Sequence, residues 1–272
     1  MWIKAPAKIN LVLKVLGKRI DGYHNILTVM QKITLYDSVW IELIRKGIVI
    51  GCDNSTLSKG KDNLAYKAAE AFFRGTGCNG GARIIIKKRI PVGAGLGGGS
   101  SDAAAVLKGL ERLLKTGISL EGLSKLGESI GADVPFFINS APSAVAEGKG
   151  EILTPVSLPV RWFVIVYPGI EISTKWAYSK VRFNLTESHK ENKIYFLNNV
   201  YERLFNDLET VSMKKYPELN EIKTRLIDRG AADARMSGSG SSVFGVFPDM
   251  GTAKKAVKEL QKLYWTKMVT CI

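Results

Sequence analysis

Ile9, Leu11, Leu13 and Val15 alternate with Asn10, Val12 and Lys14, so the chain opens on a long strand or strand pair within Ile3 to Leu16. Thr34 to Ile50 reads as two further strands parted near Arg45-Lys-Gly47, and Ala82-Arg-Ile-Ile-Ile-Lys87 as a short β-branched one. Elsewhere the period becomes helical. Leu64, Ala65, Ala68, Ala69, Phe72 and Phe73 share one face behind a cap expected at Asp62. Ala103, Val106, Leu107, Leu110, Leu113 and Leu114 repeat that spacing, with Ser100, Ser101 and Asp102 as candidate caps. Ser119 should cap a helix carrying Leu120, Leu123, Leu126 and Ile130, closed by a left-handed Gly131. Pro135 should then hold Val134 extended. Glu147-Gly-Lys-Gly-Glu151 reads as a hairpin turn, and Pro155 to Pro159 as a linker that divides the chain into residues 1–157 and 158–272.

The second half repeats both periods. A strand is expected at Trp162 to Tyr167 and a helix opened by Ser173. Asn184 to Lys193, His189 included, reads as a mobile polar loop. Helices are expected around Tyr195 to Phe205 and Pro217 to Arg229, and strands at Ala232 to Met236 and Val243 to Phe247. An amphipathic helix through Ala253, Val257, Leu260, Leu263 and Tyr264 precedes a last strand, Lys267 to Ile272. There is no internal repeat.

Composition narrows the classes. A chain of 272 residues with 46% hydrophobic content can bury one large or two moderate cores. Its notable apolar run, Trp162 to Tyr167, is far too short to cross a bilayer, and Met-Trp-Ile-Lys-Ala-Pro lacks a signal-peptide core, so no membrane partner and a cytoplasmic location are expected. Cys52, Cys78 and Cys271 are odd in number and show no paired spacing, which argues for reduced thiols and against a metal site. The formal charge of +14 is spread along the chain. It fits solvated lysine faces or attraction of polyphosphate ligands. A nucleic-acid-binding module, the rival from another class, would show salt-sensitive oligonucleotide binding, but no aromatic-basic signature of an RNA-binding sheet is present.

The chemistry concentrates at Pro91-Val-Gly-Ala-Gly-Leu-Gly-Gly-Gly-Ser-Ser-Asp102, between the strand ending at Lys87 and the helix of Ala103. Glycine in that number suits a main chain that must come close to a ligand, and a helix start preceded by small residues presents unpaired N–H groups to an anion. Gly93-x-Gly95-x-x-Gly98 fits the dinucleotide fingerprint, but that site wants an acidic residue about 20 positions on at the end of the next strand, and Thr116 to Leu126 reads as a loop and another helix. No Gly-Lys-Ser/Thr follows, as a Walker loop needs, and neither His-Arg-Asp nor Asp-Phe-Gly occurs, as a protein kinase needs.

Pro91 to Ala104 resembles the central motif of the GHMP family of small-molecule kinases, in the branch whose loop is Gly95-Leu-Gly-Gly-Gly-Ser-Ser101. Pro6-Ala-Lys-Ile-Asn10 is similar to the family's first motif, and Asp21-Gly-Tyr-His24, Gly131-Ala-Asp-Val-Pro135 and Glu147-Gly-Lys-Gly-Glu151 are similar to that branch. Ser237-Gly-Ser-Gly-Ser-Ser242 resembles the family's third motif. The resemblance implies an α+β, two-domain GHMP-kinase fold, with an N-terminal domain like ribosomal protein S5 domain 2 and a C-terminal ferredoxin-like domain. It implies transfer of the γ-phosphoryl of ATP to the 2-hydroxyl of 4-diphosphocytidyl-2-C-methyl-D-erythritol, with Lys8 and Asp133 catalytic.

The same resemblance assigns ATP to Pro91, Val92, Gly93, Ala94, Gly95, Leu96, Gly97, Gly98, Gly99, Ser100 and Ser101, together with Asn63, Leu64 and Lys88. Locally, Asp62-Asn-Leu64 reads equally well as an ordinary helix cap. Substrate would be held by Asn10, Tyr23, His24, Tyr178, Ser237, Gly238, Ser239 and Gly240, Tyr23 stacking on cytosine and His24 bonding its edge. For Tyr178 a packing role stays open. Mg²⁺ would be placed by Ser101 or a phosphate oxygen, since no second acidic ligand is found by motif. The expected assembly is a monomer or weak homodimer. Mevalonate-type and homoserine-type kinases are alternatives that would keep the loop and Asp133 but ignore the cytidine.

Overall fold

The computed structural model describes residues 1–54, 57–181, 200–202 and 204–272. The loop expected at Asn184 to Lys193, with His189, lies outside the described residues, as does the first part of the helix expected from Tyr195. The rest falls into two compact units. The first comprises residues 1–7, 35–91 and 97–140, the second residues 8–34, 92–96 and 141–272. Strands β1 (Trp2–Lys18) and β2 (His24–Ile44) contribute residues to both.

In the first unit, β4 (Gly81–Lys87) pairs antiparallel with β2, from Ser38 opposite Lys87 to Ile44 opposite Gly81, and parallel with β3 (Gly47–Cys52). The two strands read from Thr34 to Ile50 are thus present, with the break at Arg45-Lys46. Alternation decides the faces: Val39, Ile41, Ile84 and Ile86 are buried, while Ile85, Val49 and Trp2 look outward. Helix α2 (Gly98–Leu114) lies on the buried face and comes near it at Gly109, where a Cβ would stand 2.3 Å from Ile41 Cδ1 and 2.7 Å from Ile3 Cδ1. Helices α1 (Leu64–Thr76), α3 (Leu120–Glu128) and α4 (Val134–Ile138) pack around it.

Several local expectations are corrected here. The cap of α1 is Asn63, whose side chain accepts the Ala65 N–H, so Asp62 stands one position too early. No serine or aspartate caps α2. Its cap is Gly97, at φ +70°, and helical geometry already runs through Gly98 and Gly99. Ser119 caps α3 as expected, but the helix ends at Ser129 in ordinary right-handed geometry, and Gly131 has no positive φ. Val134 is the first residue of α4, not an extended one, because a proline in the first turn lacks only an N–H that the helix does not use.

In the second unit, β7 (Trp162–Tyr167), β9 (Asp233–Met236), β10 (Val243–Phe247) and β11 (Trp265–Thr270) form an antiparallel sheet in the order β11-β7-β10-β9. The last strand starts at Trp265 because Trp265 pairs with Tyr167. Beneath it, Val164, Val166, Phe247, Leu219, Leu226 and Leu260 share a core with Leu13 and Val15 of β1. That core takes in α5 (Thr174–Lys180), α6 (Asp207–Lys215), α7 (Glu218–Ile227) and α8 (Met250–Leu260). The hairpin at Glu147 to Glu151 is formed by β5 (Ser143–Glu147) and β6 (Ile152–Val156), and β5 also pairs with β2. Pro155 therefore belongs to a strand, leaving 157–161 as the irregular connection. The helix expected to reach Phe205 is replaced at its end. Val200–Glu202 is a single 3₁₀ turn, and Phe205–Asn206 forms a short strand, β8, parallel to β1 at Val12 and Leu13. No helix among the described residues is long and apolar enough to cross a membrane.

Candidate functional site

Lys8 and Asn10 are adjacent inward residues of β1 with almost no exposed surface. A lysine buried that way needs an oxygen partner. Lys8 Nζ donates to Asn10 Oδ1 at 2.5 Å, and Asn10 Nδ2 donates to Thr28 Oγ1 at 2.8 Å. The Thr28 hydroxyl in turn donates to the Val12 carbonyl at 2.6 Å. This relay fixes the ammonium and orients the asparagine amide.

Both glycine loops reach that pair within the second unit. The Lys8 N–H donates to the Leu96 carbonyl at 3.0 Å, and Asn10 N–H to Ser237 Oγ at 3.4 Å. Ser237 Oγ donates to the Gly95 carbonyl at 3.0 Å, and the Ser242 N–H to the Ala94 carbonyl at 3.1 Å. Glycine is required at the crossing: a Cβ on Gly95 would lie 2.1 Å from the Ser237 carbonyl oxygen, at a φ of +74°. A Cβ on Gly238 would come within 3.2 Å of Asn10 Oδ1 and 3.5 Å of Lys8 Nζ. Beside this, Thr174 Oγ1 and Ser239 Oγ share a hydrogen bond of 3.0 Å.

Also in the second unit, His24 and Tyr178 stack at 5.2 Å between ring centroids with planes 27° apart. Burial, then the Lys18 charge, pushes the His24 imidazole below its ordinary value, so the ring is neutral at pH 7. A neutral imidazole offers one donor and one acceptor to a base edge. Tyr23 is exposed, with Lys149 Nζ 5.6 Å from its ring centroid.

In the first unit, the start of α2 leaves the N–H groups of Gly98, Gly99 and Ser100 ahead of the first helical bond, Ser101 N–H to the Gly97 carbonyl at 2.9 Å. Those groups and the helix dipole suit a phosphate. The Ser101 hydroxyl is buried there with no hydrogen-bond partner among the described residues. Behind the loop Lys88 Nζ lies between Asp37 and Asp102, bonded to Asp37 Oδ2 and, at 2.8 Å, to Asp102 Oδ2. Burial alone would lower the Lys88 ammonium, but Asp102 and Asp37 outweigh it and raise it. Burial pushes the Asp102 carboxyl up to about 7; Lys88 opposes that rise and Asp37 adds to it. The unit also holds Asn63 and Leu64. The Asn63 amide bonds both Ala65 N–H and the Ser58 carbonyl, and Leu64 lies against Gly99. Asp133 precedes α4 in right-handed geometry, and its carboxylate makes no capping bond to that helix.

The structure thus brings together Lys8, Asn10, Gly95, Ser237 and Gly238, and His24 with Tyr178. Sequence reading passed over Asp37, Thr28, Thr174 and Asn206. Only Asn206 carried a local signal, an Asn-Asp pair ahead of an apolar residue at a helix start.

Residues 63–141 match the family described as GHMP kinases N terminal domain, and residues 190–264 that described as GHMP kinases C terminal. The chain is similar to a 4-diphosphocytidyl-2-C-methyl-D-erythritol kinase of Syntrophotalea carbinolica, at 48% identity covering 94% of this chain and 92% of that protein. It is also similar to one of Geobacter metallireducens, at 44% identity covering 96% and 94%. Among solved structures, a 4-(cytidine 5'-diphospho)-2C-methyl-D-erythritol kinase matches with a TM-score of 0.85 and 37% identity over 100% of this chain and 99% of that one. A homoserine kinase from Cytophaga hutchinsonii, with a TM-score of 0.75 and 19% identity over 100% and 94%, shares the fold.

Proposed function

The chain belongs to the GHMP kinase family, and from that premise we propose that it transfers the γ-phosphoryl of ATP to the 2-hydroxyl of 4-diphosphocytidyl-2-C-methyl-D-erythritol, an intermediate of non-mevalonate isoprenoid synthesis. The expected α+β GHMP fold is borne out, as is an ATP-dependent small-molecule kinase. The observation that carries the reading of the site is the buried Lys8–Asn10 pair beneath Gly95 and Gly238. It fixes a cation and an amide where the two glycine loops cross, groups suited to neutralise and orient a phosphoryl group.

In this reading residues 1–157 form the amino-terminal kinase domain and residues 158–272 the carboxy-terminal one. The loop from Pro91 to Ser101 cradles the polyphosphate, with Asn63, Leu64 and Lys88 beside the nucleotide. His24 and Tyr178 form one side of a cytosine clamp that Tyr23 completes, and Asn10, Ser237, Gly238, Ser239 and Gly240 hold the acceptor. The acceptor oxygen attacks the γ-phosphorus, the bond to the ADP oxygen breaks, and the hydroxyl proton passes to the Asp133 carboxylate. Lys8 neutralises charge growing on the transferred group.

The residues present fit a magnesium ion carried mainly by the nucleotide. Among the described residues no three His, Cys, Asp or Glu side chains are grouped for a metal, while the orphaned Ser101 hydroxyl is an oxygen ligand of the right kind. When bound, Mg²⁺ would neutralise phosphate charge. A monomer or weak homodimer without nucleic-acid partners, in the cytoplasm, completes the proposal.

ADP release from Mg-ATP, measured with the diphosphocytidyl alcohol, mevalonate, homoserine and single-stranded RNA, tests it. Turnover is expected with the first alone. Turnover with mevalonate or homoserine in its place would move the protein to another branch of the family.

A further inference from the structure

Asn206, in β8, is buried and lies far in sequence from every motif that carried the functional reading. Its amide is almost fully used. Nδ2 donates to the Met236 carbonyl at 2.7 Å and to the Gly238 carbonyl at 2.8 Å, and Oδ1 accepts the Leu208 N–H at 2.9 Å to cap α6. Two neighbours act on the same framework. Glu209, paired with Lys223, accepts the Met236 N–H at 3.3 Å, so Met236 is gripped at both its N–H and its carbonyl. Asp207 accepts the Val15 N–H at 2.6 Å, tying α6 to β1, the strand that bears Lys8 and Asn10.

The consequence falls on Gly238. It sits at φ +58° directly against Asn10 and Lys8, and its carbonyl is one of the two that Asn206 holds. A shift of this peptide alters its distance to both side chains at once. Only an amide can supply two donors to the carbonyls while accepting from a helix N–H; an aspartate would set an oxygen against two oxygens.

We propose that Asn206, supported by Asp207 and Glu209, is a positioning residue that sets Gly238 against the Lys8–Asn10 pair and so holds the phosphoryl-transfer geometry. This rests on the reading of Lys8 as part of the reaction centre.

The test is Asn206→Asp in the full chain. Ser237, Gly240 and Ser242 donate their N–H groups within or from the loop. Their hydrogen exchange should quicken at least about tenfold, while amides of α8 and β11 keep wild-type rates. For the diphosphocytidyl alcohol, kcat should fall about 10²-fold, the effect of a misplacement of about 1 Å. KM for ATP should change less than about threefold, as for an interaction made chiefly in the transition state. Ser212→Ala, removing a buried hydroxyl from the same helix, should leave both readouts at wild-type values. Normal loop exchange with normal kcat in Asn206→Asp overturns the proposal, and so does a kcat loss that only follows the folded fraction. Should the variant not fold, the two Nδ2 protons of wild-type Asn206 should exchange at least about tenfold more slowly than those of exposed Asn25, and equal rates overturn it. A wild-type enzyme that leaves the diphosphocytidyl alcohol unphosphorylated refutes the proposed substrate, while the exchange data still decide the brace.

Discussion

Replacing Lys88 with methionine removes one cation from between two buried carboxylates while nearly keeping its volume. Breaking a buried ion pair from one side costs about 3–5 kcal/mol, chiefly because a charge is left without compensation. The local bonding divides that cost unequally. Asp37 keeps the N–H groups of Arg89 at 2.5 Å and Ile90 at 2.9 Å, so its charge stays satisfied. Asp102 keeps no comparable partner: its Oδ1 has none among the described residues, and its carboxyl already lies at about 7, so it would take up a proton. Protonation at such a pKa costs little near neutrality, which places the expected loss toward the lower end, about 3 kcal/mol. In urea, with a slope of about 3 kcal/mol/M for a chain of this size, this moves the unfolding midpoint by about 1 M at an unchanged slope, read by far-UV circular dichroism. The double variant Lys88→Met with Asp102→Leu should be more stable than Lys88→Met alone, since the charge needing compensation is gone. A loss below about 1 kcal/mol for Lys88→Met would refute the reasoning that Lys88 compensates these two buried carboxylates.

Four shorter expectations concern the reaction. Asp133→Asn should lower kcat by about 10²–10⁴-fold, the range of a general base, with both KM values little changed, and near-normal kcat would remove Asp133 from that role. Gly98→Val should raise KM for ATP sharply, because its Cβ alone would meet Ile90 Cγ2 at 3.0 Å and Lys88 Nζ at 3.2 Å; an unaltered nucleotide KM in a folded variant would discard the phosphate cradle. Tyr23→Ala should cost about 1–3 kcal/mol of stacking, seen as weaker binding of the cytidyl substrate by calorimetry while ATP binds normally. Because burial and Lys18 both favour the neutral His24 ring, KM for the cytidyl substrate should stay flat from pH 8 to 7 and rise only at pH values below the ordinary histidine range; an increase beginning above pH 7 contradicts that sign.

Local chemistry determined a good part of this protein from the sequence alone. The alternation from Ile9 to Val15, the helical faces of α1 and α2 and the Ser119 and Ser173 caps follow from neighbours a few residues apart, and so they were readable. The glycine-rich stretch was legible as a loop of close backbone approach, which Gly95 makes against the Ser237 carbonyl. Its bonding partners were not. Whether Lys88 faces solvent or two carboxylates depends on Asp37, 51 residues away, and on the first turn of α2. Likewise, Asn10 meets Ser237 across 227 residues and His24 stacks on Tyr178, pairings that exist only once strands and loops are brought together. The misread details share that cause. β8 exists because β1 offers Phe205 and Asn206 an edge, and Val134 could join a helix because its proline occupies the first turn. Sequence pattern therefore decided which residues could do chemistry, and tertiary packing decided which of them share a hydrogen bond, because burial drives most polar groups to a partner wherever the fold has placed one.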